Sequence, residues 1–231
     1  LEELALFTPD DRGGFVSLSP LTPSLRQFRD LTALRIYVAK KRGMDESDFA
    51  EHVANLQRLQ AEFGEKHEKG AVVEAKRLGA VLASHDDTTR HHVATSHANG
   101  VGFAEFPTTH EAAEACRDYG IAIMMGAPNV IRGGSHSGNV SAMELAKTDL
   151  LDIMSSDYVP SGLLIAAFRI AQLWNDLPRA IATVTRAPAI AAGLPDRGSL
   201  QMGLRGDVLR VAKIQETAVL RGVWAKGSRI A

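Results

Sequence analysis

The sequence predicts an α/β fold built on a parallel sheet, and two observations lead there. Five short apolar segments, FVSLS (15–19), AVLAS (80–84), VGFAEF (101–106), IAIMMG (121–126) and LDIMSS (151–156), are each of strand length. Between most of them lie stretches with helical spacing of apolar residues, and such alternation implies parallel strands joined by right-handed crossovers.

The elements follow in order. FVSLS comes directly after Gly13 and Gly14, which break the preceding chain. A long helical pattern spans about 45–78, with Phe49, Val53, Leu56 and Leu59 on one face. Further helices are expected over 87–99, 108–119, 141–148 and 160–174, and TVTRAP (183–188) reads as a helix and its boundary. From Asp196 onward glycines become closely spaced and β-rich runs alternate, so a few antiparallel strands are expected. The chain therefore divides into a main α/β part, 1–195, and a small β portion, 196–231. With 231 residues, 45% of them apolar, it is long enough to bury a full core.

Charge and cysteine content narrow the function classes. Lys+Arg 26 against Asp+Glu 27 leaves a net charge of -1, so there is no general attraction to nucleic acid or to an anionic membrane. Any anion binding must be local. The single cysteine, Cys116, excludes an internal disulfide and fits a reducing compartment. No apolar run reaches the length of a membrane span, and the start lacks the basic leader of a signal peptide, so a cytoplasmic location is expected.

Ligands in parallel α/β folds gather at the carboxyl ends of strands, and polar residues stand at those positions here. His85 and Asp86 directly follow one strand, Glu105 lies near the end of the next, residues 129–139 follow another, and Asp157 follows the last. An imidazole and a carboxylate on such ends are ordinary ligands for a divalent metal, and a carboxylate there also suits a general base. The same residues allow plainer readings. Asp86 or Asp87 would cap the amides of a following helix, and Asp157 would cap the helix that has Pro160 near its first turn. His91 and His92 are expected on a helix surface.

The stretch GAPNVIRGGSHSGNVS (126–141) has the chemistry of a phosphate site. Asn129 and Arg132 offer side-chain donors, Gly133, Gly134 and Gly138 allow close approach of backbone amides, and Ser135, His136, Ser137 and Asn139 add short donors before a predicted helix. It is not a Walker loop, because the lysine and its spacing are absent. A turn-rich loop without a ligand is the alternative.

The strings ASHDDTT, AEFPTTHEAAEA, MGAPNVIRGGSHSGNVSAMELA, LLDIMSSDYVPSGLLIAAF and DRGSLQMGLRGDVLRV carry a resemblance over nearly the whole chain. They are similar to the PhnM family, the α-D-ribose 1-methylphosphonate 5-triphosphate diphosphatases of the carbon–phosphorus lyase pathway, within the amidohydrolase superfamily. The resemblance implies a partial amidohydrolase-type (β/α)8 TIM barrel, strands five to eight, with a small C-terminal β-sandwich portion. It implies a divalent metal ion (zinc, manganese or magnesium), with His85 as the metal-binding histidine after strand six. Asp157 would hold metal and act as base for the attacking water, and 129–139 would border a ribosyl alkylphosphonate triphosphate substrate. The reaction implied is hydrolysis of the 5-triphosphate to the 5-phosphate and diphosphate.

Two departures from the family pattern follow. Where members show an MDHTPGQRQF-like string with a metal-binding histidine, this chain reads SLSPLTPSLRQF, with Pro20 and Leu21 at the Asp and His positions. The first four strands and their ligands are not in this sequence, so a missing N-terminal barrel half or a homo-oligomer partner is expected to complete the metal site. Two alternatives stand beside the diphosphatase: a noncatalytic phosphate-binding homologue, and a related amidohydrolase acting on a cyclic amide.

Overall fold

A computed structural model describes residues 15–18, 31–135, 137–215 and 217–231. The chain forms two compact units. The first comprises the described residues up to Ile123 together with Ser135–Val140, and the second comprises Met124–Gly134 and Ser141–Ala231.

In the first unit, β1 (Phe15–Leu18) is followed by α1 (Leu31–Arg42), α2 (Glu46–Leu59), a π-helical turn (Gln60–Gly64) and α3 (Glu65–Leu78). Then come β2 (Val81–His85), α4 (Arg90–Asn99), β3 (Phe103–Glu105) and α5 (His110–Asp118). The long helical pattern thus forms as three joined pieces. A capping box between Asp45 and Asp48 starts α2, and α3 stops at Gly79, whose φ of 63° takes the left-handed conformation that glycine adopts without cost. Leu34, Val38 and Val53 are buried together, with Met44 and Phe49 packed against them. Around the sheet, Leu82, Ala83, Phe103 and Ala104 are buried, as are Val93, Ala112, Ala113 and Cys116 on the neighbouring helices. Phe49 and Val53 confirm the apolar face read from their spacing.

The second unit begins within β4 (Ala122–Gly126) and contains α6 (Ala127–Arg132), α7 (Ala142–Lys147), β5 (Ile153–Ser155) and α8 (Gly162–Trp174). Two short helices follow, α9 (Leu177–Ala182) and α10 (Arg186–Ala191), then β6 (Val208–Ile214), β7 (Thr217–Ala225) and β8 (Ser228–Arg229). β4 pairs with β5 in parallel, Met124 opposite Ile153. Helix α8 buries Gly162, Ala166, Ala167 and Ile170. Trp174 closes its end by donating an Nε1–H bond of 2.8 Å to the carbonyl of Ala146. β6, β7 and β8 form a separate antiparallel sheet with a bulge at Arg210–Val211.

The strand order is that of the chain, β1-β2-β3-β4-β5. All five apolar segments are therefore strands of one sheet. β1 pairs in parallel with β2 from Phe15 opposite Val81 to Leu18 opposite Ser84. No helix among the described residues is long and apolar enough to cross a membrane.

Candidate functional site

His85 stands at the carboxyl end of β2 for a local reason. The ladder continues one residue further, Asp86 donating its amide to the carbonyl of Glu105 at 2.9 Å, and the chain then turns sharply, because Asp86 has a φ of 59°. Successive side chains of a strand point to opposite faces, but this left-handed turn brings the Asp86 carboxylate back, its Oδ2 2.9 Å from Nδ1 of His85. The neighbouring strand end does the same. Phe106 has a φ of 58°, a strained conformation for a bulky residue, and sets the edge of its ring against His85, centroids 5.2 Å apart at 75°. A carboxylate and a phenyl ring thus flank the imidazole.

Register decides what else lies on that face. Ser17, Ala83 and Phe103 are successive partners across β1, β2 and β3, and His85 pairs with Glu105. Partners in a parallel ladder and residues two apart along a strand share a face, so Ser17, Ala83, His85, Phe103 and Glu105 stand together. The Glu105 Oε2 accepts a 2.6 Å bond from Ser17 Oγ.

Asp86 and Asp87 do not cap the following helix. The cap of α4 is Thr89, whose side chain accepts from the amide of His92, and Nδ1 of His92 accepts in turn from the amide of Thr88. Asp87 is buried instead, with Oδ2 accepting from Ser96 Oγ at 2.9 Å and its carbonyl from the amide of Thr108. Nothing in the pattern DDTT separates a cap from a core aspartate, because the difference lies in where Ser96 and Thr108 pack. His91 is exposed, as expected of a helix surface.

In the second unit, Asp157 follows β5, is exposed and has a φ of 50°. It does not cap α8, whose N-cap residue is Ser161. Next to it, Tyr158 Oη accepts a 3.2 Å bond from the guanidinium of Arg132. The glycine-rich stretch is less open than its composition suggests. The amides of Gly133 and Gly134 both donate to the carbonyl of Asn129, at 3.1 and 2.9 Å, and close the end of α6. The Asn129 Oδ1 accepts from the amide of Ala142 at 2.9 Å. Ser141 and Glu144 complete a capping box on α7, which places a carboxylate at the helix start that was expected to receive an anion. As folded, then, the Gly133 and Gly134 amides and the start of α7 are committed to the backbone; Arg132 retains a side chain turned to solvent.

Ser135, Ser137 and Asn139 fall in the first unit. Ser135 Oγ accepts from the amide of Ser137 at 3.1 Å, and Ser137 Oγ is buried without a hydrogen-bond partner among the described residues. Asn139 is half-buried. His136, Pro20 and Leu21 lie outside the described residues.

Among the described residues no three His, Cys, Asp or Glu side chains converge as a metal-binding group. Catalytic zinc commonly takes three protein ligands, so these side chains alone do not fit a complete metal site.

Comparison with known proteins bears on both fold and sequence. No protein-family model matches the chain. The α-D-ribose 1-methylphosphonate 5-triphosphate diphosphatase of Escherichia coli (strain K12) is 42% identical over 218 residues, covering 93% of this chain and 58% of its own length. The chain thus spans less than two thirds of that relative. Among solved structures, an amidohydrolase from Thermotoga maritima is similar over 90% of this chain and 54% of its own, with a TM-score of 0.54 and 16% identity. The 5-methylcytosine deaminase of Klebsiella pneumoniae is similar over 100% of this chain and 77% of its own, with a TM-score of 0.52 and 15% identity. At such identities the structural likeness carries the fold alone. The fold is part of an amidohydrolase-type barrel with a small antiparallel sheet, as the sequence led one to expect.

Proposed function

We propose that this chain, related in sequence to the α-D-ribose 1-methylphosphonate 5-triphosphate diphosphatases and folded as part of an amidohydrolase-type barrel, is the portion of such a hydrolase that carries its later strand ends. The reaction is hydrolysis of a ribosyl alkylphosphonate 5-triphosphate to the 5-phosphate and diphosphate, with a divalent metal as cofactor. The observation that supports the reading is His85: an imidazole at a strand end, flanked by the Asp86 carboxylate and the Phe106 ring, stands where a metal-binding histidine is expected.

The residues divide the work. His85 offers a metal ligand, and Asp157 serves as a metal ligand and as base for the attacking water. The Arg132 guanidinium, which makes no ion pair among the described residues, is the cation for a phosphate oxygen. His136, Ser137 and Asn139 supply shorter donors. The glycine amides play a different part from the one their composition implied, since they hold the end of α6 and so keep Arg132 at its place. The remaining metal ligands come from a preceding barrel half or from a second copy of the chain.

The test is an assay of the full-length gene product, stripped of metal and then supplied with zinc, manganese or magnesium, on ribosyl methylphosphonate triphosphate and on a nucleoside triphosphate. Diphosphate release that requires metal and falls at least a hundredfold in His85→Ala supports the reading; release from neither substrate sinks it. A second reading, a phosphate-binding homologue without catalysis, draws on the lack of a three-ligand group among the described residues. Triphosphate binding by a protein that takes up no metal would favour it.

A further inference from the structure

Two threonine pairs, in DDTT (86–89) and PTTH (107–110), have no role in the reading above. Their second members cap helices: Thr89 accepts from the amide of His92, and Thr109 from the amide of Ala112. Their first members bond to each other. Thr108 is wholly buried, and its hydroxyl lies 2.9 Å from that of Thr88, which donates at 3.1 Å to the carbonyl of Asp86. A hydroxyl has one hydrogen to give and a carbonyl can only accept, so the Thr88 hydrogen is committed to Asp86 and Thr108 is the donor between the two hydroxyls.

These bonds belong to a longer set that joins the turns after β2 and β3. The Asp86 amide donates to the Glu105 carbonyl and the Thr108 amide to the Asp87 carbonyl, both at 2.9 Å, while Thr109 Oγ donates to the Thr88 carbonyl at 2.6 Å. The pairing of β2 with β3 thus continues past the strands, beyond the left-handed residues Asp86 and Phe106. Thr108 extends it to a third segment, because its carbonyl accepts from the amide of Val140 at 3.0 Å. Val140 closes the part of the glycine-rich stretch that belongs to the first unit. Within that part, Ser137 Oγ is buried without a hydrogen-bond partner among the described residues. Burying a hydroxyl unpaired is costly, and a ligand oxygen that completes the bond accounts for it.

We infer that Thr88 and Thr108 are positioning residues for the segment Ser137–Val140, which they hold to the turns after β2 and β3 through Val140. This rests on the hydrolase reading, in which Ser137 and Asn139 meet the substrate, and deepens it by naming what keeps those donors in place. Both threonines act through other residues: Thr108 through the carbonyl that receives Val140, and Thr88 by anchoring the Thr108 side chain. Valine has the shape of threonine without its hydroxyl, so Thr108→Val tests the bond and not the packing.

The experiment uses the metal-loaded full-length protein with Thr108→Val, Thr108→Ser and a control, Thr183→Val, which loses a buried hydroxyl bond to the Ala180 carbonyl in the second unit. Amide hydrogen exchange at Val140 is measured without substrate, and KM and kcat are measured on ribosyl methylphosphonate triphosphate. Thr108→Val is expected to speed exchange at Val140 and to raise KM, each about five- to tenfold, with kcat within about twofold of the parent. Thr108→Ser keeps the donor and should restore both, and Thr183→Val should match the parent in both. Should Thr108→Val not fold, Thr88→Val removes the other end of the same bond, and the same changes are expected. Parent-like exchange and KM in the folded valine variant would overturn the inference, as would an equal rise of KM in Thr183→Val. Faster exchange at Val140 in a protein whose parent hydrolyses no triphosphate retains the anchoring role and loses the diphosphatase reading. Hydrolysis by the parent with exchange and KM unchanged in Thr108→Val does the reverse.

Discussion

Asp86 and His85 are adjacent in the chain, yet their side chains meet, Oδ2 of Asp86 lying 2.9 Å from Nδ1 of His85. The contact exists because Asp86 has a φ of 59°, a conformation that aspartate and asparagine tolerate better than most residues. Asp86→Asn should therefore preserve the turn and the fold while removing the charge. It is expected to weaken divalent-metal binding about 10- to 100-fold with little change in Tm. Mn²⁺ calorimetry and thermal melting on the same sample check both halves, and parent-like Mn²⁺ affinity would show that the carboxylate does not prepare the imidazole. Asp86→Val, by contrast, places a β-branched residue at that φ and should destabilise by roughly 1–3 kcal/mol.

Asp87 belongs to the core. Its buried carboxylate receives the Ser96 hydroxyl, and its carbonyl receives the Thr108 amide. Asp87→Ala should cost about 3 kcal/mol, because a buried donor loses its charged acceptor, whereas Ser96→Ala should cost about 1 kcal/mol. Urea unfolding would separate the two; equal losses would mean that the Ser96 bond accounts for the whole effect.

Arg132 is exposed and hydrogen-bonds Tyr158, with no ion pair among the described residues, so stability should barely register its loss. Arg132→Ala is expected to leave Tm unchanged and to raise KM for the triphosphate about tenfold or more, with Arg132→Lys recovering part of the difference. An unchanged KM would remove Arg132 from the substrate site.

Gly198 packs where a side chain has no room. Its φ is 93°, and an added Cβ would lie 2.9 Å from the Ala189 Cβ, the Arg186 Cα and the Thr185 carbonyl oxygen. Two of these three are backbone atoms that cannot swing aside. Gly198→Ala should cost roughly 1–3 kcal/mol from overpacking, with further strain from φ, read as a lower Tm. Gly203→Ala is the comparison, since its φ of 86° brings similar strain but no atom lies within 4 Å.

Asp207 ties the antiparallel sheet to its final turn. It accepts from the Lys226 amide at 2.9 Å, and that bond, with help from the Arg205 guanidinium, holds its carboxyl below the usual 3.8. A depressed folded pKa stabilises above the unfolded value and is lost as pH falls through the folded one. Hydrogen exchange at Lys226 should therefore speed up as pH drops below about 3.8, beyond the intrinsic chemical change, and Asp207→Asn should flatten that response. An exposed group of this kind contributes little in total, so the readout is local exchange and not global unfolding.

Much of this architecture was legible because it is local. Apolar runs of five or six residues became β1 to β5, and the helices at 90–99, 110–118, 142–147 and 162–174 lie within a few residues of their predicted spans. His85 was legible as well, since it directly follows an apolar strand. Asp87 and the pair Gly133–Gly134 were not. Whether an aspartate caps a helix or is buried depends on Ser96, and whether two glycine amides face a ligand or a carbonyl depends on the path of α6. Glu105 was visible at its strand end, but its bond to a serine 88 residues earlier was not.

The sequence by itself determined the periodicities: which segments alternate as strand and helix, where the chain turns to short antiparallel strands, and which polar residues stand at strand ends. Those follow from side-chain spacing and from the backbone preferences of glycine, proline and the capping residues, all of which act over a few residues. Only the tertiary structure decided which of those polar groups are already committed. Register brought Ser17, Ala83, His85 and Glu105 to one face, and left-handed turns at Asp86 and Phe106 closed around the imidazole. Hydrogen-bonding groups are saturated by whatever packs beside them, and that is set by contacts between residues far apart in the chain.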